Sequence, residues 1–223
     1  MFPKEIIERF SAVATASVAD ACEQIVGRRC YMDHEIKPRV NDRRVVGPAI
    51  TVQEGKALEA VPPQHALEAI DSANEGDVLV IALVDAAGEE FLDRDVALWG
   101  GLMTAGAVAN KLAGAILNAG LRDITEIRRD FGFQVYSRSI SPGTTVGRYK
   151  TLARNIPVLC GGIQVFPGDL IVADYDGVVV VPQDLVNKVL EITEEIEMRE
   201  AEQTRYIKET NSLIQGIAKY NRI

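Results

Sequence analysis

Two periods of apolar residues alternate along the chain and predict an α/β order. Short helices are predicted over 4–10 and over Val18–Val26, the latter with Ser17 as N-cap, Asp20 in its first turn and Gly27 as its stop. Tyr31–Pro38 is irregular and carries Asp33, His34 and Glu35. Val45–Val52 reads as a strand in which Gly47-Pro48 marks a bulge or an edge. Pro62-Pro63 opens a helix over Gln64–Ala73. After the turn Gly76-Asp77, Val78–Val84 is apolar throughout, the pattern of a strand covered on both faces. Asp85–Asp95 is a polar loop leading to a helix over about Leu102–Lys111.

Further strands are predicted at Gly114–Asn118, Gln134–Ser139 and Ile156–Cys160, with Ser141–Gly147 as a loop. Leu170–Ala173 and Val178–Val181 flank Asp174-Tyr175-Asp176-Gly177, a hairpin signal. From Gln183 the chain reads as helix almost to its end, with Leu185, Val189, Ile192 and Ile196 on one stripe. Residues 197–205 are polar on most faces, which suits solvent or a bridge to a neighbouring subunit, and Leu213, Ile214 and Ile217 resume the apolar face. The mixture predicts one α/β domain of sheets layered with helices.

Candidate chemistry centres on Gly100-Gly101-Leu102-Met103 and on Arg122-Asp123, which follows the next strand. The glycines leave the first amides of a helix uncovered, and such amides favour a carboxylate or phosphate. Arginine can fork a carboxylate and aspartate can hold a divalent cation, so the pair can grip a small oxo-acid from two sides. A plainer reading has Asp123 capping a helix over Ile124–Arg129 and pairing with Arg122.

Composition narrows the alternatives. The formal net charge of −8 argues against nucleic acid as a partner. No apolar run reaches a membrane span and the N-terminus lacks a signal peptide's pattern, so a cytoplasmic location is expected. Cys22, Cys30 and Cys160 read as free thiols, and His34 and His65 are too few for a histidine zinc site. Any metal is therefore held by oxygen, which points to Mg²⁺ or Mn²⁺. Gly161-Gly162 lacks the third glycine and following helix of a dinucleotide loop, the absence of a Gly-rich cofactor loop disfavours a methyltransferase, and Asp174 and Asp176 lack the rest of a calcium loop.

Trp99-Gly100-Gly101-Leu102-Met103, with Arg122-Asp123-Ile124-Thr125-Glu126 beyond it, resembles the signature of the RraA-like family. Ser17–Ala21, Val46–Val52, Pro167-Gly168-Asp169 and Asp176–Pro182 agree, so the resemblance spans about 15–185, with the terminal helix over about 183–220. It implies a layered β/β/α swivelling-domain sandwich with a long C-terminal helix, as a single domain over 1–223. Its best-characterised enzymes are metal-dependent 4-hydroxy-4-methyl-2-oxoglutarate/4-carboxy-4-hydroxy-2-oxoadipate aldolases.

The resemblance further implies a homotrimer, or a hexamer made of two trimers, with active sites between subunits. In its terms Gly100, Gly101, Leu102 and Met103 bind a pyruvate carboxylate, Arg122 contacts the keto-acid, and Asp123 ligates Mg²⁺ or Mn²⁺ largely through waters. An acid lent by a neighbouring subunit would correspond to Glu35, with Glu197 or Glu200 of the C-terminal helix as a second, and Glu35 or a metal-bound water is the candidate base. The family's aldolases commonly carry an acid where this chain has Gly101, and Asp-Gly where it has Asn118-Ala119. The expected activity is a lyase reaction forming pyruvate from 2-oxo-dicarboxylates, by retro-aldol cleavage or by oxaloacetate decarboxylation. The rival is a non-catalytic regulator that binds another protein.

Overall fold

A computed structural model describes residues 2–221. In chain order the elements are α1 (Lys4–Ala12), α2 (Thr15–Val26), β1 (Lys37–Pro38), β2 (Val45–Lys56), α3 (Gln64–Asp71), β3 (Val78–Val84), β4 (Val96–Trp99), α4 (Gly101–Ala109) and β5 (Gly114–Leu121). There follow α5 (Ile124–Glu126), running on as a π-helical turn over Ile127–Phe131, then β6 (Val135–Ile140), β7 (Gly143–Thr144), β8 (Tyr149–Arg154), β9 (Val158–Cys160) and β10 (Ile163–Val165). The chain closes with β11 (Leu170–Asp174), β12 (Gly177–Val181), α6 (Val186–Thr210) and α7 (Leu213–Tyr220). Among the described residues no helix is long and apolar enough to cross a membrane.

The sheet runs β1-β6-β5-β3-β2-β11-β12, and β6, β5, β3 and β2 are mutually parallel. One face of these strands packs Leu79, Ile81, Leu83 and Leu117 against Ala66 and Ile70 of α3 and Ala107 of α4. The other face packs Val78, Val80 and Ile116 against Val158 and Val165 and against Ile171 and Val180 of the β11–β12 hairpin. The hairpin's outer residues, Leu170, Val172, Val179 and Val181, meet Phe10, Val18, Cys22, Val189 and Leu190 of the terminal helices. The result is the predicted α/β layering, with apolar alternation on the hairpin deciding which layer each side chain joins.

β2 belongs to two layers. Its Val45–Pro48 half pairs antiparallel with β11, and its Ala49–Gly55 stretch pairs parallel with β3. Gly47-Pro48 therefore marks a hand-over inside the sheet and not an edge. Gly47 is needed there because a Cβ would lie 2.0 Å from the Gly76 carbonyl oxygen.

Several local expectations are corrected. Ala14, not Ser17, takes the N-cap position of α2, and Ser17 lies in the first turn, which moves Asp20 beyond it. The Ala14 amide and the Ser17 hydroxyl both donate to Glu197 of α6, at 3.0 and 2.6 Å. The loop before α4 ends in the buried strand β4, and β8 was not predicted at all. The terminal helix breaks at Asn211, whose φ is +51°. Leu213 and Ile214 are exposed instead of resuming a buried stripe. Cys22, Cys30 and Cys160 are free and buried, as predicted.

Candidate active site at the tip of α4

Four interactions fix the start of α4. The indole Nε1 of buried Trp99 donates to the Thr104 hydroxyl at 2.7 Å, and that hydroxyl donates to the Gly100 carbonyl at 3.0 Å. Trp99 stacks on Phe133 with ring centroids 5.9 Å apart. The Arg122 amide donates to the Trp99 carbonyl at 3.1 Å, which fastens the end of β5 beside the helix tip. β4 and β5 thereby deliver Gly100-Gly101 and Arg122-Asp123 to one place.

Asp123 has φ +61°, a conformation that Asp and Asn tolerate better than most residues. Its side chain does not cap its own helix α5. Oδ2 instead accepts the Gly101 N–H at 2.9 Å, placing a carboxylate on the positive end of α4. Arg122 Nε lies 3.5 Å from the same oxygen, with both side chains partly exposed. A Cβ on Gly100 would lie 2.7 Å from Asp123 Oδ2 and 3.0 Å from Arg122 Nε, so the bare glycine makes this approach possible.

These groups border a cavity of about 280 Å³ whose lining includes Pro63, Leu67, Trp99, Thr144 and Thr145 besides Gly100, Gly101, Leu102, Met103, Arg122 and Asp123. Met103 packs on the core, whereas Leu102 is 93% exposed at the cavity mouth. A larger cavity of about 810 Å³ lies elsewhere, between the end of α2 and the β10–β12 region. Its buried acid, Asp169, already accepts the Phe166 and Gln183 amides on its two oxygens.

Glu35 is not brought to the α4 tip within one chain. Arg94 binds it through Nε at 3.1 Å and Nη2 at 2.5 Å, and Arg138 Nη1 binds it at 3.0 Å. The hydrogen bonds and charge of Arg94, followed by those of Arg138, hold its carboxyl below the usual range, which makes it a poor proton acceptor. The Arg138 guanidinium is almost wholly buried and also meets Asp33 at 3.0 Å and Glu90 at 3.4 Å. Glu90 in turn accepts the amides of Gly161 and Gly162 at 2.7 and 2.8 Å. Nothing in the sequence marked Arg138 or Glu90. Their only signal is an arginine in a strand that is otherwise buried and a glutamate in a polar loop.

Glu197 is held within its own chain by α2, as described above. Asn118 is buried and bonds the Leu83 amide at 2.8 Å and the Leu83 carbonyl at 3.3 Å. Its side chain so continues the β3 ladder where β5 diverges, a pairing that needs both an acceptor and a donor.

Among the described residues no group of three or more His, Cys, Asp or Glu side chains could hold a metal. The α4 tip offers oxygen donors on a partly exposed carboxylate, the chemistry of a hard cation that keeps most of its water shell. A model of the RraA-like family, Aldolase/RraA, matches residues 15–180. A Halalkalibacterium halodurans protein named "Putative 4-hydroxy-4-methyl-2-oxoglutarate aldolase" is 32% identical over 190 residues, covering 84% of this chain and 81% of that protein. The crystal structure of an uncharacterized Pseudomonas syringae pv. tomato protein superposes with a TM-score of 0.82 at 28% identity, over 98% of this chain and 95% of the other. Streptomyces coelicolor RraAS2, described as an unusual member of the RNase ES inhibitor RraA family, shares the fold with a TM-score of 0.79 at 24% identity, over 93% and 100% of the two chains. By the family model and by these relatives, the chain belongs to the RraA-like family.

Proposed function

We propose that the chain is a divalent-metal-dependent lyase that forms pyruvate from small 2-oxo-dicarboxylates. The substrates are those of retro-aldol cleavage, such as 4-hydroxy-4-methyl-2-oxoglutarate, together with oxaloacetate for decarboxylation. The observation that carries this reading is the convergence of Arg122 and Asp123 on the bare tip of α4, above a cavity sized for a small acid. The name of the Halalkalibacterium halodurans relative supports it.

Asp123 would hold Mg²⁺ or Mn²⁺, which when bound supplies Lewis-acid polarisation of the 2-oxo group. The uncovered first-turn amides of α4, at Leu102 and Met103, bind the substrate's 1-carboxylate. Arg122 donates to the 2-oxo oxygen. As the C3–C4 bond breaks, its electron pair flows toward that oxygen, and a fixed guanidinium favours the charged transition state over the ground state. Trp99, Leu67 and Pro63 supply apolar walls to the cavity.

Exposed Leu102, with Leu67 and Val146 beside it, supports a site completed by a neighbouring subunit in a homotrimer or a pair of trimers. The test is pyruvate release from both substrates with Mg²⁺, with and without EDTA. Metal-dependent release is expected, and its absence with every 2-oxo-dicarboxylate offered refutes the assignment in favour of a non-catalytic binding role.

A further inference from the structure

The larger cavity, of about 810 Å³, shares no lining residue with the cavity at the α4 tip and serves no step proposed above. Gly27, with φ +73°, ends α2 and sends Arg28, Arg29 and Cys30 along its wall. The Cys30 thiol donates to the Arg28 carbonyl at 3.4 Å, and the Cys30 carbonyl accepts the Val180 amide at 2.9 Å, so this stretch is held against β12. Arg29 Nη2 donates to the Gly161 carbonyl at 3.1 Å, with its guanidinium 5.7 Å from the centre of the Tyr31 ring. A Cβ on Gly162 would lie 2.6 Å from that nitrogen, so a bare glycine in left-handed conformation seats the arginine on the β9–β10 turn.

The charges around this cavity are sorted. Arg9, Arg44, Arg94 and Arg138 each meet a carboxylate at 3.0 Å or less. Arg28 and Arg29 meet none within ion-pair distance among the described residues, although acids outnumber bases in the chain by 32 to 24. The two acids of the lining, Asp169 and Asp184, stand apart from the arginines, and Asp184 adds its negative charge to the surroundings of Asp169. Most of the remaining wall is apolar, from Val26, Ile163, Phe166, Pro167, Val180 and Pro182. Phe166 is half-exposed there.

We propose that this cavity binds a planar aromatic monocarboxylate, with the carboxylate on Arg28 and Arg29 and the ring on the wall that includes Phe166. A guanidinium offers parallel N–H donors that match a carboxylate, and an arginine whose fork no acid has taken can make that pair. The apolar wall removes the ring from water, and its extent separates this ligand from a small oxo-acid, which suits the cavity of about 280 Å³ at the α4 tip. Asp169 and Asp184 repel a second negative charge, so a dicarboxylate or a polyphosphate is disfavoured. The site stands whether or not the α4 tip forms pyruvate, because the two cavities have no residue in common.

The test is calorimetric titration of the full chain with cinnamate, and with cinnamyl alcohol and terephthalate as its neutral and doubly charged counterparts. One cinnamate should bind per chain, about tenfold tighter than either counterpart. Arg28→Gln and Arg29→Gln should each weaken cinnamate by about tenfold, and Phe166→Ser by about threefold. All three side chains are exposed, so melting temperatures should stay near native. Asp184→Asn should narrow the gap between terephthalate and cinnamate. Excess pyruvate with Mg²⁺ should leave cinnamate binding unchanged. The site is overturned if cinnamate does not bind at millimolar concentration, if the alcohol binds equally well, or if both arginine variants keep native affinity. Displacement by pyruvate overturns it too, since that result seats the probe at the α4 tip.

Discussion

The Asp123 carboxylate accepts the Gly101 amide hydrogen at 2.9 Å, so a residue in left-handed conformation at the end of one strand caps a helix 22 positions earlier. Two variants separate the cap from the charge. Asp123→Asn keeps an acceptor and tolerates the positive φ, so its melting temperature should stay near native while metal-dependent pyruvate release is lost. Asp123→Ala should lose the activity and about 1 kcal/mol of stability besides. A fully active, EDTA-resistant Asn variant removes the metal from this position.

Arg122→Ala should lower turnover on both substrates by about 10²–10³-fold, the usual cost of deleting a donor to a developing oxyanion. Arg122→Lys should recover part of it, since an ammonium supplies charge without the planar fork. Steady-state kinetics decide the matter, and near-native kcat in the alanine variant refutes the role.

Arg138 neutralises Asp33, Glu35 and Glu90 from a nearly solvent-free position. Arg138→Met leaves these acids without their shared partner and should cost about 3–5 kcal/mol in urea unfolding at neutral pH. Loss below about 1 kcal/mol shows that Arg94 and the Gly161 and Gly162 amides suffice.

Glu54 is fully buried, and neither carboxyl oxygen has a hydrogen-bond partner. Burial pushes its carboxyl up to about 8. In the unfolded chain a glutamate titrates near about 4.3, so between these values the folded state holds a proton that the unfolded state has released. Glu54 therefore stabilises the fold fully in acid, and that contribution drains away as pH rises toward 8. Glu54→Gln should flatten the fall in stability over pH 5–8 by about 1 kcal/mol per pH unit, read from chemical denaturation at several pH values. An unchanged slope assigns the pH dependence to other groups.

Leu102→Asp places a charge on the exposed apolar residue at the cavity mouth. If a neighbouring subunit covers that mouth, light scattering should show a shift from trimer or hexamer toward monomer. An unaltered mass locates the subunit interface elsewhere.

The layer order was legible because the long apolar runs, Val78–Val84 above all, have one stable use in a sheet covered on both faces. The α4 tip was legible from paired glycines before an apolar-periodic run. β4 was hidden because its four apolar residues abut that run without a turn between them. β8 was hidden because Tyr149–Arg154 is mostly half-exposed and pairs only with the far end of β2. Ser17 has the chemistry of an N-cap, yet the acceptor at that helix start comes from Glu197, 180 residues away. Local pattern places each residue on its element, and only the folded chain sets Ser17 and Glu197 side by side.

The reach of α6 back to the start of the chain has one more consequence. Glu197 holds the first turn of α2, and Glu194 forks Arg9 of α1 at 2.6 and 2.8 Å. Helices α1 and α2 are thus buckled to α6 by two acids spaced three apart on one helical face. Amide hydrogens of Ala14 through Ser17 should exchange with deuterium in step with those around Glu197. Fraying of α1 and α2 should then release the middle of α6, so that the three helices open as a single cooperative unit.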